Sequence, residues 1–293
     1  MAVNWPGLLA WSTKYHDGTK PSEFKQMSQE DKEFLEKAME EAFGQMEDPN
    51  VAFQEAIEQI KSPERTQESI ATSLEVIDRL CDDPDVARNA EKLDGIQPLL
   101  DLAKLDTPQQ SRTLEILALL FSNNPNIQQV GFKRGALQIF VDIMQNNPVA
   151  SEPRTKAFRT LAALVRSEKP IEEAFLQQHA GAATLVACLS MCEPSSMREK
   201  ALSLVRSLAQ DGCLGAEETS QLAVAVAPLL QSVSSESIQH REMLASCCLA
   251  LSGASVPSEL RTAVQLREQQ LAADKSSTED SNELSLLKEC LER

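Results

Sequence analysis

Lys156, Arg159 and Arg166 lie at spacings that stack side chains along a single helix face, within the run 152–170. Lys200, Ser203 and Arg206 repeat that arrangement further on. A row of ammonium and guanidinium groups makes and breaks no bonds by itself; it offers charge-assisted hydrogen bonds to carboxylates or other anions. The row stands out because this chain of 293 residues holds 44 acids against 28 Lys and Arg, a formal net charge of −16. Basic side chains on an exposed helix are ordinarily just solvated. Two features favour a surface for an acidic partner protein: the sign opposes that of the whole chain, and the long helices that carry the row, stacked in a solenoid, point toward its concavity.

No other constellation carries chemistry. The sequence has no GxSxG elbow, P-loop, HExxH or EF-hand loop, and His16, His179 and His240 share no spacing. The seven cysteines (81, 188, 192, 213, 247, 248, 290) are scattered without a CxxC pair, which supports neither a zinc site nor a disulfide framework. The run Cys81-Asp82-Asp83-Pro84-Asp85 could suggest a metal site, but a helix stop followed by a capped restart explains it. Cys247 and Cys248 read as small core residues. No catalytic residue, cofactor or metal is therefore expected, and the protein is not read as an enzyme. So acidic a chain is poorly suited to coating nucleic acid or an anionic membrane. With no signal segment and no apolar run near ~18 residues, it is expected to be soluble, monomeric and cytoplasmic.

The elements that must carry the basic row are helical. Hydrophobic residues make up 42% and aromatics 4%, with Leu and Ala dominant, which predicts an all-α protein. Pro84, Pro125 and Pro170 each open a short segment, and Gly95, Gly135 and Gly181 follow ten or eleven residues later. Pro suits a first helical turn, Asp83 and Asn124 are placed to cap, and the glycines suit a left-handed residue at a helix end. Each Gly precedes an apolar helix, and a longer third helix follows at about 108–123, 152–167 and 195–210. A period of 41 to 45 residues with three helices per unit predicts an armadillo-repeat solenoid, a right-handed superhelix with third helices on its concave side. Ala157, Phe158, Leu161, Leu164 and Val165 give one third helix its core side; Met197, Ala201, Leu204, Val205 and Leu208 give the next. The first copy presents Ser111, Glu115 and Ser122 where the later ones are basic.

The division expected is an N-terminal helical region over 1–82, about four repeats over 83–253, the last a degenerate unit at about 214–253, and capping helices over 254–293. Before the repeats come a short amphipathic helix around Leu8, Leu9, Trp11 and Ser12, a breaker at 17–21, and a helix from Ser28, with Asp31 at the capping-box position, to about Phe43. Residues 28–48 hold eight acids against two lysines, a solvated face or, alternatively, an acidic docking surface. Helices at about 49–61 and 64–81 follow. The leucine-rich segment 281–292 reads as an intramolecular cap rather than a dimer seam. Trp5 and Trp11 lie outside the repeats, so the Trp and Asn ladder with which armadillo grooves grip basic peptides is missing.

Several stretches together resemble one family. The opening run from Asn4 to Pro21, the run from Met27 to Met39, Asn123-Asn124-Pro125, Arg154 to Ala157, Leu164 to Pro170 and Lys200 to Leu204 are similar to the cytosolic armadillo-type nucleotide exchange factors of heat-shock protein 70 chaperones, the yeast Fes-type and mammalian heat-shock-binding-protein group. The resemblance implies a co-chaperone that binds the chaperone's ATPase domain, opens its cleft and hastens ADP release. It implies contacts at Ala87, where a small residue permits close approach, and at Lys200, with Asn123, Asn124, Arg154, Lys156, Arg159 and Ser203 as further candidates. Gln110 stands where relatives tend to carry a basic residue. The alternative is an armadillo scaffold that binds another protein.

Overall fold

The structure, a computed structural model, describes residues 27–43, 48–148, 151–190, 195–232, 237–252, 257–273 and 281–292, with Leu9, Ser12 and Thr13. The described residues are helical and contain no strand, as expected of an all-α chain. The chain divides into two compact units, Met1–Ala52 and Phe53–Arg293. In the first, helix α1 (Gln29–Phe43) starts where its cap predicts: the Ser28 hydroxyl accepts from the Asp31 N–H at 3.2 Å and donates to the Asp31 carboxylate at 2.6 Å. Leu9 and Ser12 are helical, while the rest of the expected helix around Trp11 and the breaker at 17–21 lie outside the described residues.

Helix α2 (Pro49–Lys61) leads into the second unit, and α3 (Gln67–Cys81) follows. α3 begins three residues later than the apolar pattern suggests. The reason is a capping box: Ser69 N–H donates to Thr66 Oγ1 at 3.1 Å and Thr66 N–H to Ser69 Oγ at 2.9 Å, which fixes Thr66 as the last extended residue. Three units of three helices come next. They are α4 (Pro84–Asn89), α5 (Ile96–Ala103) and α6 (Gln110–Phe121), then α7 (Pro125–Lys133), α8 (Ala136–Asn146) and α9 (Glu152–Val165), then α10 (Lys169–Gln178), α11 (Gly181–Leu189) and α12 (Ser195–Gln210). Two helix pairs complete the array: α13 (Ala216–Ser232) with α14 (Ile238–Leu251), and α15 (Ser258–Ala273) with α16 (Ser281–Glu292). The long helices α3, α6, α9, α12, α14 and α16 pack each against the next, forming one continuous row.

A shared core makes the row possible, because no single three-helix unit can bury its own apolar faces. Phe53, Phe121, Phe140, Phe158 and Phe175 are fully buried within it. The Phe121 and Phe140 rings meet edge to face with centroids 6.1 Å apart, a favoured aromatic geometry. The residues expected on the core sides of α9 and α12 are all buried, as are Cys247 and Cys248. Leu287 and Cys290 place one face of α16 in the same core. Cys192 and the link 274–280 lie outside the described residues.

The punctuation differs from the sequence reading in two respects. Asp83 caps α4 as expected, accepting from Asp85 N–H at 2.8 Å, but Asn124 does not cap α7. Its amide donates instead to the Ala87 carbonyl at 3.3 Å, so a bond between repeats takes the place of the local one. Of the three glycines expected in left-handed geometry, only Gly135 (φ 80°) adopts it. At the matching turns Asp94 (φ 53°) and Ala180 (φ 50°) take that conformation, and the glycines follow them. Gly95 and Gly181 serve close approach. A Cβ on Gly95 would sit 2.7 Å from the Phe53 ring, and one on Gly181 2.8 Å from the Phe175 carbonyl oxygen.

A left-handed alanine is strained by about 1–2 kcal/mol, so Ala180→Gly is expected to stabilise the protein by about 1 kcal/mol. Urea midpoints check this; an unchanged or lowered midpoint contradicts it.

Candidate functional site

The basic row is built by register. One turn of α9 separates Lys156 from Arg159, and neighbouring α12 brings Lys200 and Arg206 to the same side. Between the C-terminal halves of α6 and α9 opens a groove of about 400 Å³, lined by Ser122, Asn123, Gln128, Arg159, Arg166 and Lys200 among others. Gln128 holds its wall in shape. The side chain is buried and its amide donates to the carbonyls of Ala163, Leu164 and Arg166 at 2.9, 3.0 and 2.9 Å, satisfying the open end of α9. Asn123 (φ 53°) and Ser167 (φ 63°) turn the chain at the ends of α6 and α9.

Arg166, partly buried, lines the groove. Its Nη2 donates to Ser203 Oγ at 3.0 Å, while its Nε is buried with no acceptor. Burial, and then the charge of Arg206, push the Arg166 pKa below its ordinary value. No carboxylate lines the groove, and among the described residues Arg159, Lys200 and Arg206 form no ion pair.

The groove thus gathers three of the contact candidates that the resemblance supplied, Asn123, Arg159 and Lys200, and reaches a fourth, Ser203, through Arg166. It does not gather the others. Lys156 is ion-paired with Glu115 of α6, which explains the acidic residue in the first copy of the pattern: it neutralises its neighbour. Arg154 turns toward α8, donating to the Met144 carbonyl at 2.7 Å and the Asn147 carbonyl at 3.3 Å. Ala87 is half-buried against the core and tied to Asn124. Gln110 is buried and spans to the Ala103 carbonyl at 2.9 Å. Arg166 lines the groove yet is absent from the candidates that the resemblance supplied. Its position on the basic face was the only signal available.

A second polar cluster sits behind the groove. Glu172 of α10 is fully buried and accepts from Ser167 N–H at 3.0 Å and from the Cys213 thiol at 3.0 Å. Burial raises its pKa, the Cys213 hydrogen bond opposes the rise, and Asp211 adds to it. The same surroundings push the Cys213 thiol up to about 12, through burial first and then Glu172. Cys213 is therefore a hydrogen-bond donor and not a thiolate nucleophile at neutral pH.

A carboxyl whose folded pKa is raised favours the folded state below its unfolded value and loses that contribution as pH rises through the folded one. Glu172→Gln is therefore expected to raise the urea midpoint at pH 8 and to leave it nearly unchanged at pH 4. Equal effects at both pH values would contradict the assignment.

Among the described residues no three His, Cys, Asp or Glu side chains come together to hold a metal ion, and no helix is long and apolar enough to cross a membrane.

The model of the family described as nucleotide exchange factor Fes1 matches residues 6–90. The resemblance read from the sequence is borne out. A curated relative, the Hsp70 nucleotide exchange factor FES1 of Saccharomyces cerevisiae, is 28% identical over 173 residues, covering 58% of this chain and 58% of the relative. The protein of that name from Kluyveromyces lactis is 29% identical over 145 residues, covering 48% and 50%. The chain thus spans half to three-fifths of the length of these Fes1 relatives. Among solved structures, a designed armadillo repeat protein in complex with the peptide (KR)4 superposes with a TM-score of 0.67 at 15% identity, over 82% of this chain and 99% of that one. The armadillo repeats only protein from Plasmodium falciparum superposes with a TM-score of 0.54 at 17% identity, over 78% and 98%. These likenesses establish the armadillo fold.

Proposed function

We propose that this protein is a cytoplasmic, non-enzymatic nucleotide exchange factor that acts on a heat-shock protein 70 chaperone. The observation that carries the reading is the Fes1 match over 6–90 on a chain that continues into an armadillo array with a basic third-helix row. Arg159 and Lys200, charged and without an ion pair among the described residues, meet carboxylates of the chaperone's ATPase domain. Asn123 and Ser203 supply neutral contacts beside them. The division of labour is an N-terminal region over 1–82, repeats over 83–253 and capping helices over 254–293, working as a monomer without cofactor. Neither nucleic acid nor a membrane takes part.

The mechanism is linkage. The array grips one lobe of the ATPase domain and its bulk excludes the closed arrangement of the two lobes. A ligand that prefers the open cleft must weaken nucleotide binding, and nucleotide must weaken that ligand by the same factor. Ordinary allosteric couplings of ~1–3 kcal/mol are small for rapid release, which favours steric exclusion of the closed state. An interface of about 1,600 Å² is of the usual size for such a complex.

The test is equilibrium reciprocity. The affinity of this protein for the isolated ATPase domain is measured by calorimetry with and without saturating ADP. A large loss of affinity with ADP is expected. Tight binding indifferent to ADP would leave the scaffold reading in its place.

A further inference from the structure

We propose that the groove between α6 and α9 is a binding site for a small, compact dianion of the phosphate monoester type. The inference rests on the groove itself and not on the identity of any protein partner.

Three cationic side chains, Arg159, Arg166 and Lys200, line a recess of about 400 Å³ that contains no carboxylate. A fourth, Arg206, lies near enough to act on Arg166. Two other cations of the row have carboxylate partners: Lys156 has Glu115, and Arg112 of α6 has Asp78 of α3 at 2.5 Å. The groove's cations have none among the described residues, in a chain whose acids outnumber its bases by 44 to 28. Like charges held together without a counter-charge repel, and an anion seated among them removes that repulsion.

Arg166 lines the groove, and its guanidinium is oriented by the bond from Nη2 to Ser203 Oγ at 3.0 Å. Its Nε is buried out of reach, so the donors it offers an anion are the remaining Nη hydrogens, in a planar group suited to the oxygens of a tetrahedral anion. Gln128, Ala162 and Ser167 line the same recess, and the exposed Arg159 and Lys200 bring two further charges to it. The recess exceeds the volume of phosphate alone, so the phosphate is the anchoring part of a larger ligand. Its source is either a free metabolite or a phosphorylated side chain.

The experiment titrates the full chain with inorganic phosphate and with pyrophosphate by calorimetry, at ionic strength held constant with sodium chloride. Saturable binding is expected, with pyrophosphate the tighter. The double variant Arg159→Gln/Lys200→Gln, which leaves Arg166 and the wall intact, is expected to lose at least tenfold in affinity, whereas Lys156→Gln is expected to lose less than twofold. O-phosphoserine binding more tightly than phosphate would assign the ligand to a phosphorylated side chain; the reverse order would assign it to a free anion, and either supports the site. No saturable binding, or binding that the double variant retains in full, would overturn the proposal.

Discussion

The double reversal Arg159→Glu/Lys200→Glu is expected to weaken binding to the chaperone ATPase domain by at least about 100-fold, because it sets like charges against the acidic partner surface, which costs several kcal/mol. The fold should tolerate the change. Both side chains are exposed and form no internal ion pair among the described residues. Lys156 supplies the contrast. It lies on the same helix and carries the same charge, but Glu115 already neutralises it, so Lys156→Ala is expected to change affinity less than threefold. Surface plasmon resonance on the three proteins reads both effects. Equal losses for the double reversal and for Lys156→Ala would mean that Arg159 and Lys200 do not decide affinity.

The second large effect lies at the far end of the array. Glu283 of α16 and Arg267 of α15 are 2% and 5% exposed and meet at 2.8 Å, with Arg241 of α14 at 3.3 Å from the same carboxylate. Removing one partner of a buried ion pair strands the other charge and costs about 3–5 kcal/mol. Glu283→Ala is accordingly expected to lower stability by about that much, melting α15 and α16 ahead of the rest. Because the cost is that of an unpaired charge, replacing Arg267, Glu283 and Arg241 together by Met, Leu and Met is expected to recover most of the loss. Chemical denaturation followed by circular dichroism checks both outcomes. A triple variant no more stable than Glu283→Ala would show that packing rather than charge is at stake.

Much of this architecture was legible in the sequence, and the reason is local. Pro84, Pro125 and Pro170 mark helix starts through a missing N–H, Ser28 and Asp83 mark them through short capping side chains, and the apolar spacing of α9 and α12 marks their inward faces. What escaped depends on contacts about one repeat apart in the chain. Asn124 finds Ala87 37 residues back, Lys156 finds Glu115 41 back, Arg166 finds Ser203 37 ahead and Glu172 finds Cys213 41 ahead. The repeat period says that such pairs face each other. It does not say which side chain satisfies which, so Lys156 and Asn124 looked as available to a partner as Arg159 and Lys200. The left-handed residues escaped for a related reason. Either of two adjacent positions can take the turn, and the tight approach of Phe53 to Gly95 and of Phe175 to Gly181 assigns the glycine to the second.

The central claim, that this armadillo array pries open a chaperone ATPase, is tested most directly by stopped-flow release of fluorescent ADP from a cytosolic heat-shock protein 70. Saturating protein is expected to accelerate release many-fold, and the Arg159→Glu/Lys200→Glu variant at the same concentration to return it toward the intrinsic rate. A release rate unchanged by the unmodified protein at saturation would contradict the account.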